Sequence, residues 1–183
     1  CICGGAELFT GNNLIVMAWA SRKVKHFLML RNWMIVYAGN FIGATGMVGL
    51  VGFSGVLGLH DGAVGESALA VARGKLALSS GEAFIRGILC NTLVCLAAWL
   101  GFAARTVVGK VVAIIFPISA FVALGFEHSI ANMYFIPIAW FVDPNSVTVA
   151  GFLANLIPVT AGNIVGGSGF VALAYWAIYL RRN

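Results

Sequence analysis

Five apolar blocks are separated by short polar connections: about Cys1 to Ala20, Trp33 to Leu59, Phe84 to Ala103, Val111 to Val142 and Val149 to Leu180. A membrane-crossing helix takes about 20 residues, so the pattern predicts five spans and leaves little chain for a soluble domain. The third block fits one crossing. The fourth and fifth exceed thirty residues, which requires tilt or an interruption. The chain begins at Cys1 inside an apolar stretch, without Met or a signal-peptide n-region, and reads as a fragment of a longer protein.

Composition agrees. Of 183 residues, 61% are hydrophobic and 9% charged, against about 45–50% and about 25% in a soluble domain. A soluble enzyme is excluded, and a mean hydropathy of +0.97 excludes disorder. The charges are sorted by side: Arg22, Lys23, Lys25 and Arg31 in the first connection, Arg105 and Lys110 in the third, Arg181 and Arg182 after the last span. The opposite side holds Arg73, Lys75 and Arg86 with Asp61, Glu66, Glu82 and Asp143. Positive-inside bias places the first group in the cytoplasm, so the basic pI reports orientation, not nucleic-acid binding. Cys1, Cys3, Cys90 and Cys95 match no zinc spacing and read as small packing residues, with no metal. The long connection from His60 to Gly81 carries SALAVARGKLAL, either over the outer mouth or as a surface helix contacting lipid phosphates.

Two acidic residues, Glu7 and Glu127, sit inside apolar blocks, where ionisable groups are costly and usually functional. Their surroundings match without a gap. GAELFTGNN over GFEHSIANM pairs Gly5 with Gly125, Glu7 with Glu127 and Asn12 with Asn132 at an offset of 120. AGNFIGA (38–44) over AGNIVGG (161–167), at an offset of 123, extends the match and pairs Asn32 with Asn155. Two motifs in the same order argue for duplication, and three intervening spans make it an inverted repeat. Such repeats place a substrate site at the midplane between broken helices, where irregular backbone must line a cavity or be buried in protein. The polar and small residues Gly5, Thr10, Gly11, Gly125, Ser129 and Asn132 mark the two breaks.

His128 is the one histidine at membrane depth, beside Glu127 in the second break. An imidazole with an unperturbed pKa of about 6.5 can exchange a proton with a weak acid in passage. Asn163 either lines the pore beside Thr10 and His128 or serves as interhelical glue; Asn91 is either glue or an orienter of Glu127. Leu8, Phe9 and Phe121 border the breaks, where they are placed either as apolar gates or as packing.

At GAELFTGN, GFEHSIANMYFIP and LIPVTAGNIVGG the sequence resembles the formate/nitrite transporter family over the whole chain. The resemblance implies an all-α membrane protein with inverted three-helix repeats, broken second and fifth helices, an aquaporin-like protomer and a homopentamer with one pore per subunit. Residues 1–183 would then form one channel domain with about five of six helices present, lacking the first helix and the start of the second. It implies a central triad of Thr10, His128 and Asn163, constrictions at Leu8 and Phe121, a buried pair Glu127 and Asn91, and Lys75 as a vestibule lysine that attracts the anion.

Together these readings predict a multi-pass channel of the plasma (inner) membrane for formate and related small weak-acid anions, with no enzyme activity and no cofactor. A bare anion crossing an apolar constriction is disfavoured by desolvation, and a proton from His128 removes that obstacle. Nitrite or hydrosulfide through the same pore is the alternative. A haem-carrying membrane anchor needs paired axial histidines, of which only His128 is at depth. An aquaporin needs Asn-Pro-Ala at its half-helix tips, which neither break contains.

Overall fold

The computed structural model describes residues 1–2 and 4–181, whose regular elements are all helices, with no strand among them. Cys3 and Arg182 lie outside the described residues. A 3-10 turn, Gly11–Leu14, leads into α1 (Ile15–Ala20). Then follow α2 (His26–Phe53), α3 (Ala63–Leu76), α4 (Ser80–Ala103), α5 (Val107–Ala123), α6 (Ser129–Phe135) and α7 (Val149–Ile164). The chain after α6 continues as the 3-10 turn Pro137–Phe141, and α7 runs on through wider π turns, so that Val149–Leu180 is one helix of 32 residues.

The five apolar blocks thus resolve into three uninterrupted helices long enough to cross a bilayer, α2, α4 and the extended α7, and two broken ones. The fourth block is interrupted between Ala123 and Ser129; the fifth is not interrupted at all. The second begins at His26 rather than Trp33, which brings Arg31 inside α2. Long cationic stems lie along apolar surface while the charge reaches the interface, so a basic residue does not end a membrane helix.

Starts and stops follow from local chemistry. Ser79 and Glu82 form a capping box at α4: the Ser79 hydroxyl accepts from the Glu82 amide at 3.3 Å, and the Glu82 carboxylate accepts from the Ser79 amide at 3.0 Å. Thr106 and Thr148 cap α5 and α7, each accepting an amide N–H at 3.0 Å. α5 ends in a Schellman motif: Phe126 N–H reaches Phe121 O at 3.0 Å and Gly125 N–H reaches Val122 O at 3.1 Å, with Gly125 at φ +65°. A left-handed residue at this position favours glycine, so the GF dipeptide itself places the second break.

α4 and α7 pack backbone to backbone through Gly87, Gly162 and Gly166. A Cβ on Gly162 would strike the Phe84 carbonyl, and one on Gly166 the Ile88 carbonyl. Small residues let membrane helices approach closely, and packing drives their association. Gly166→Ala should cost about 1–3 kcal/mol, read as a lowered thermal midpoint in detergent. Gly169→Ala, with nothing within 4 Å, should leave the midpoint unmoved; equal effects would contradict this packing.

The distribution of polarity is that of a bilayer protein. Phe27, Phe53, Phe102 and Phe116 are each more than 60% exposed, whereas Thr10, Asn13, Asn91, Asn132 and Asn163 are fully buried.

Candidate functional site

The site is built from two copies of one hydrogen-bonding pattern. In the second copy, Asn132 Nδ2 donates to Glu127 Oε2 at 2.6 Å and to Asn155 Oδ1 at 2.8 Å. In the first, Asn12 Nδ2 donates to Glu7 Oε2 at 2.7 Å and to Asn32 Oδ1 at 2.9 Å. A second pair repeats as well. Asn163 accepts from Ser129 N–H at 2.8 Å and donates to Glu127 O at 2.9 Å; Asn40 accepts from Phe9 N–H at 2.9 Å and donates to Glu7 O at 3.0 Å. Gly5 and Gly125 both take positive φ, +76° and +65°. The equivalent Tyr37 and Thr160 bond to each other at 2.9 Å and so mark the axis relating the halves.

The breaks meet at Thr10 and His128. Thr10 Oγ1 lies 2.9 Å from His128 Nε2, with Thr10 fully buried and His128 7% exposed. His128 is also the N-cap of α6, its Nδ1 accepting the Ala131 amide at 3.1 Å. An amide can only donate, so Nδ1 carries no proton in this arrangement and the neutral ring carries its hydrogen on Nε2. The Nε2 hydrogen thus lies on the Thr10 side, and the lone pair of the neutral ring is the one engaged by the Ala131 amide. The Phe121 ring stacks on the imidazole at 5.8 Å between centroids and 19° between planes.

Glu127, 3% exposed, is paired with Lys75 Nζ at 2.9 Å. Asn155 Nδ2 holds the Lys75 carbonyl at 2.9 Å, so the cation on α3 is tied at both head and backbone. The duplication breaks here: Glu7 is exposed and takes its further bond from Asn32 Nδ2 at 3.0 Å.

A cavity of about 400 Å³ on the α3 side is lined by Lys75, Arg86, Phe121, Glu127 and His128. Another of about 270 Å³ is lined by Leu8 and Gly11, which flank Thr10, with Val94, Ile114 and Ile118.

Four expectations change. The Asn163 side chain holds the backbone of the second break, donating also to Gly87 O at 2.8 Å, so it is buried glue rather than a pore-lining group. Asn91 does not touch Glu127; its amide joins Thr10 O at 3.2 Å to Asn163 O at 2.6 Å, clamping the breaks together. Phe9 is 3% exposed and packs edge-on against Trp33 and Tyr37, in a different cavity from Leu8, which makes it a packing residue and not a gate. Ser129 and Asn132 are helical, leaving Gly125 as the marker of the second break. Arg86, on the cavity wall, was without a role in the sequence.

Comparison with known proteins decides the family. The formate/nitrite transporter family model matches residues 1–177. The chain belongs to the formate/nitrite transporter family. It is 41% identical to the formate channel FocA of Escherichia coli strain K12 over 201 aligned positions, covering all of this chain and 70% of that one. It is 44% identical to the uncharacterized transporter YrhG of Bacillus subtilis strain 168, covering all of this chain and 68% of that protein. A solved pentameric formate channel with formate bound superposes with a TM-score of 0.87 at 39% identity, covering 98% of this chain and 78% of that chain. The chain is accordingly an integral membrane transport protein and not an enzyme, and its all-helical protomer has the family's inverted repeat.

Proposed function

We propose that this chain forms a channel for formate and related small monovalent weak-acid anions, in which His128 exchanges a proton with the passing acid. The observation that carries the reading is the contact between Thr10 Oγ1 and His128 Nε2. It joins the two breaks, His128 lining one cavity and Leu8 and Gly11, close to Thr10 in the chain, lining the other. The anion enters the α3-side cavity and meets a ring whose Nε2–H points at a hydroxyl. When Nδ1 releases the Ala131 amide and takes a proton from solvent, the ring becomes an imidazolium; transfer of its Nε2 proton to the anion then gives a neutral acid and a neutral imidazole. The acid passes Phe121 and Leu8 without the desolvation penalty of a charge, and Nε2 regains a proton from solvent or from the next acid. Thr10 accepts and orients the Nε2 hydrogen between passages. Phe121 and Leu8 act as the constrictions, Glu127 with Lys75 fixes the loop beside the ring, and Asn91 and Asn163 brace it.

The similarity to a pentameric formate channel supports a homopentamer with one pore per subunit in the cell's inner membrane. The charge bias of the connections supports cytoplasmic placement of Arg22, Lys23, Lys25, Arg105 and Lys110.

The test is flux into proteoliposomes of the purified protein. Formate added outside should acidify the lumen in a protein-dependent manner, with water permeability unchanged, and nitrite and hydrosulfide compared in parallel rank the substrates. Protein-dependent water permeability without acidification by any of the three would refute the proposal.

A further inference from the structure

The side of the molecule bearing α3 has three cations, and two of them are neutralised. Arg73 pairs with Asp143 at 3.2 Å and Lys75 pairs with the buried Glu127 at 2.9 Å. Arg86, on the second turn of α4, has no salt bridge among the described residues, and its nearest acid along the helix, Glu82, is engaged with the Ser79 hydroxyl and amide at 2.7 and 3.0 Å. Arg86 lines the same cavity as His128 and Phe121. Its Nη1 makes one long hydrogen bond, 3.4 Å, to the Gly125 carbonyl at the break, and its own carbonyl accepts the Glu127 amide at 3.3 Å. A guanidinium carries five N–H donors, so most of this fork is uncommitted, and the pairing of Lys75 with Glu127 leaves Arg86 as the source of net positive charge on the cavity wall.

We propose that Arg86, rather than Lys75, captures the anion at this mouth, and that it selects for planar anions with two oxygens, the geometry of formate, nitrite and small carboxylates. Two parallel N–H···O bonds from a guanidinium match such an anion, whereas a single-atom acceptor such as hydrosulfide or chloride takes only one. A cation in a low-dielectric cleft also raises the local concentration of anions, an effect that salt screens. Gly125 fixes the guanidinium beside the break, so a captured anion lies in the same cavity as the imidazole that titrates it. Lys75 has a different task, holding Glu127 and with it the second break.

The proposal rests on the channel reading, and the experiment separates the two. Formate, nitrite and hydrosulfide uptake is measured from the α3 side in proteoliposomes for the wild type, Arg86→Gln and Arg86→Lys. Arg86→Gln keeps a donor for the Gly125 carbonyl and removes only the charge. Its half-saturation concentration for formate should rise about three- to tenfold, far more than its maximal flux falls, and the salt dependence of uptake should flatten. Arg86→Lys should retain the salt dependence and lose the preference for formate and nitrite over hydrosulfide. An Arg86→Gln channel with unchanged half-saturation and unchanged salt dependence would overturn the inference while leaving the channel reading intact. No formate flux in the wild type would overturn the channel reading itself. Should Arg86→Gln fail to assemble, Arg86→Lys carries the test alone: an unaltered preference among the three anions counts against the two-oxygen selectivity.

Discussion

Replacing His128 by Phe should abolish the pH-dependent switch between anion and neutral-acid passage. In the wild type, flux should depart from the fraction of formic acid in solution as the pH is varied, because the ring exchanges protons; in His128→Phe it should follow that fraction alone. The substitution keeps an aromatic ring against Phe121 and removes both ring nitrogens, hence the donor to Thr10 and the cap on Ala131. Loss of that cap alone costs about 1 kcal/mol, so the helix should still form and the protein still assemble, which size-exclusion elution checks. Thr10→Val separates orientation from chemistry: it removes only the partner of Nε2 and should shift the pH profile without erasing it. A His128→Phe channel whose flux and pH profile equal those of the wild type would refute the proton relay.

The second large effect concerns the Lys75–Glu127 pair. Lys75→Met leaves a carboxylate at 3% exposure without its cation. Removing one member of a buried pair costs about 3–5 kcal/mol, because the remaining charge is uncompensated. The same change places net negative charge in the anion cavity, so formate flux should fall sharply. The double variant Lys75→Met with Glu127→Gln should recover most of the stability, since a neutral amide still bonds Asn132. The measurement is denaturant unfolding of the solubilised protein followed by circular dichroism, alongside flux. A loss below about 1 kcal/mol in Lys75→Met would show the pair to be an exposed surface contact and would remove the reason for assigning anion capture to Arg86.

Most of the topology was legible because membrane burial makes polar residues expensive. Glu7, Glu127 and the asparagines that follow them have to be functional or bonded, and their fixed offset carries the duplication in the sequence itself. Gly125 could be placed at a break because only a left-handed residue ends α5 as it does. The partners of those groups were not legible, because sequence does not say which residues meet across a fold. Asn163 looked like a pore residue since it lies alone among small residues, yet those glycines bring α4 close enough for its amide to reach the Gly87 carbonyl. Phe9 sat beside Leu8 in the chain, but consecutive residues in a turn point in different directions, and its ring went to Trp33 and Tyr37. Lys75 read as a connection residue because α3 is short and amphiphilic. Its long stem reaches inward to Glu127, a bond that only the placement of α3 over α6 creates. α2 starts earlier than the hydrophobic pattern predicts because a cationic side chain such as Arg31 can lie along apolar surface inside a span.

The position equivalent to His128 in the other half is Leu8. An assembly of two identical half-length chains would face an imidazole with an imidazole across its axis, or have none. Two basic rings side by side would compete for one proton, and ionising the first would hinder the second. Fusion of the halves into a single polypeptide lets one half carry an imidazole where the other carries an inert isobutyl group, which gives the two ends of the protomer a built-in difference.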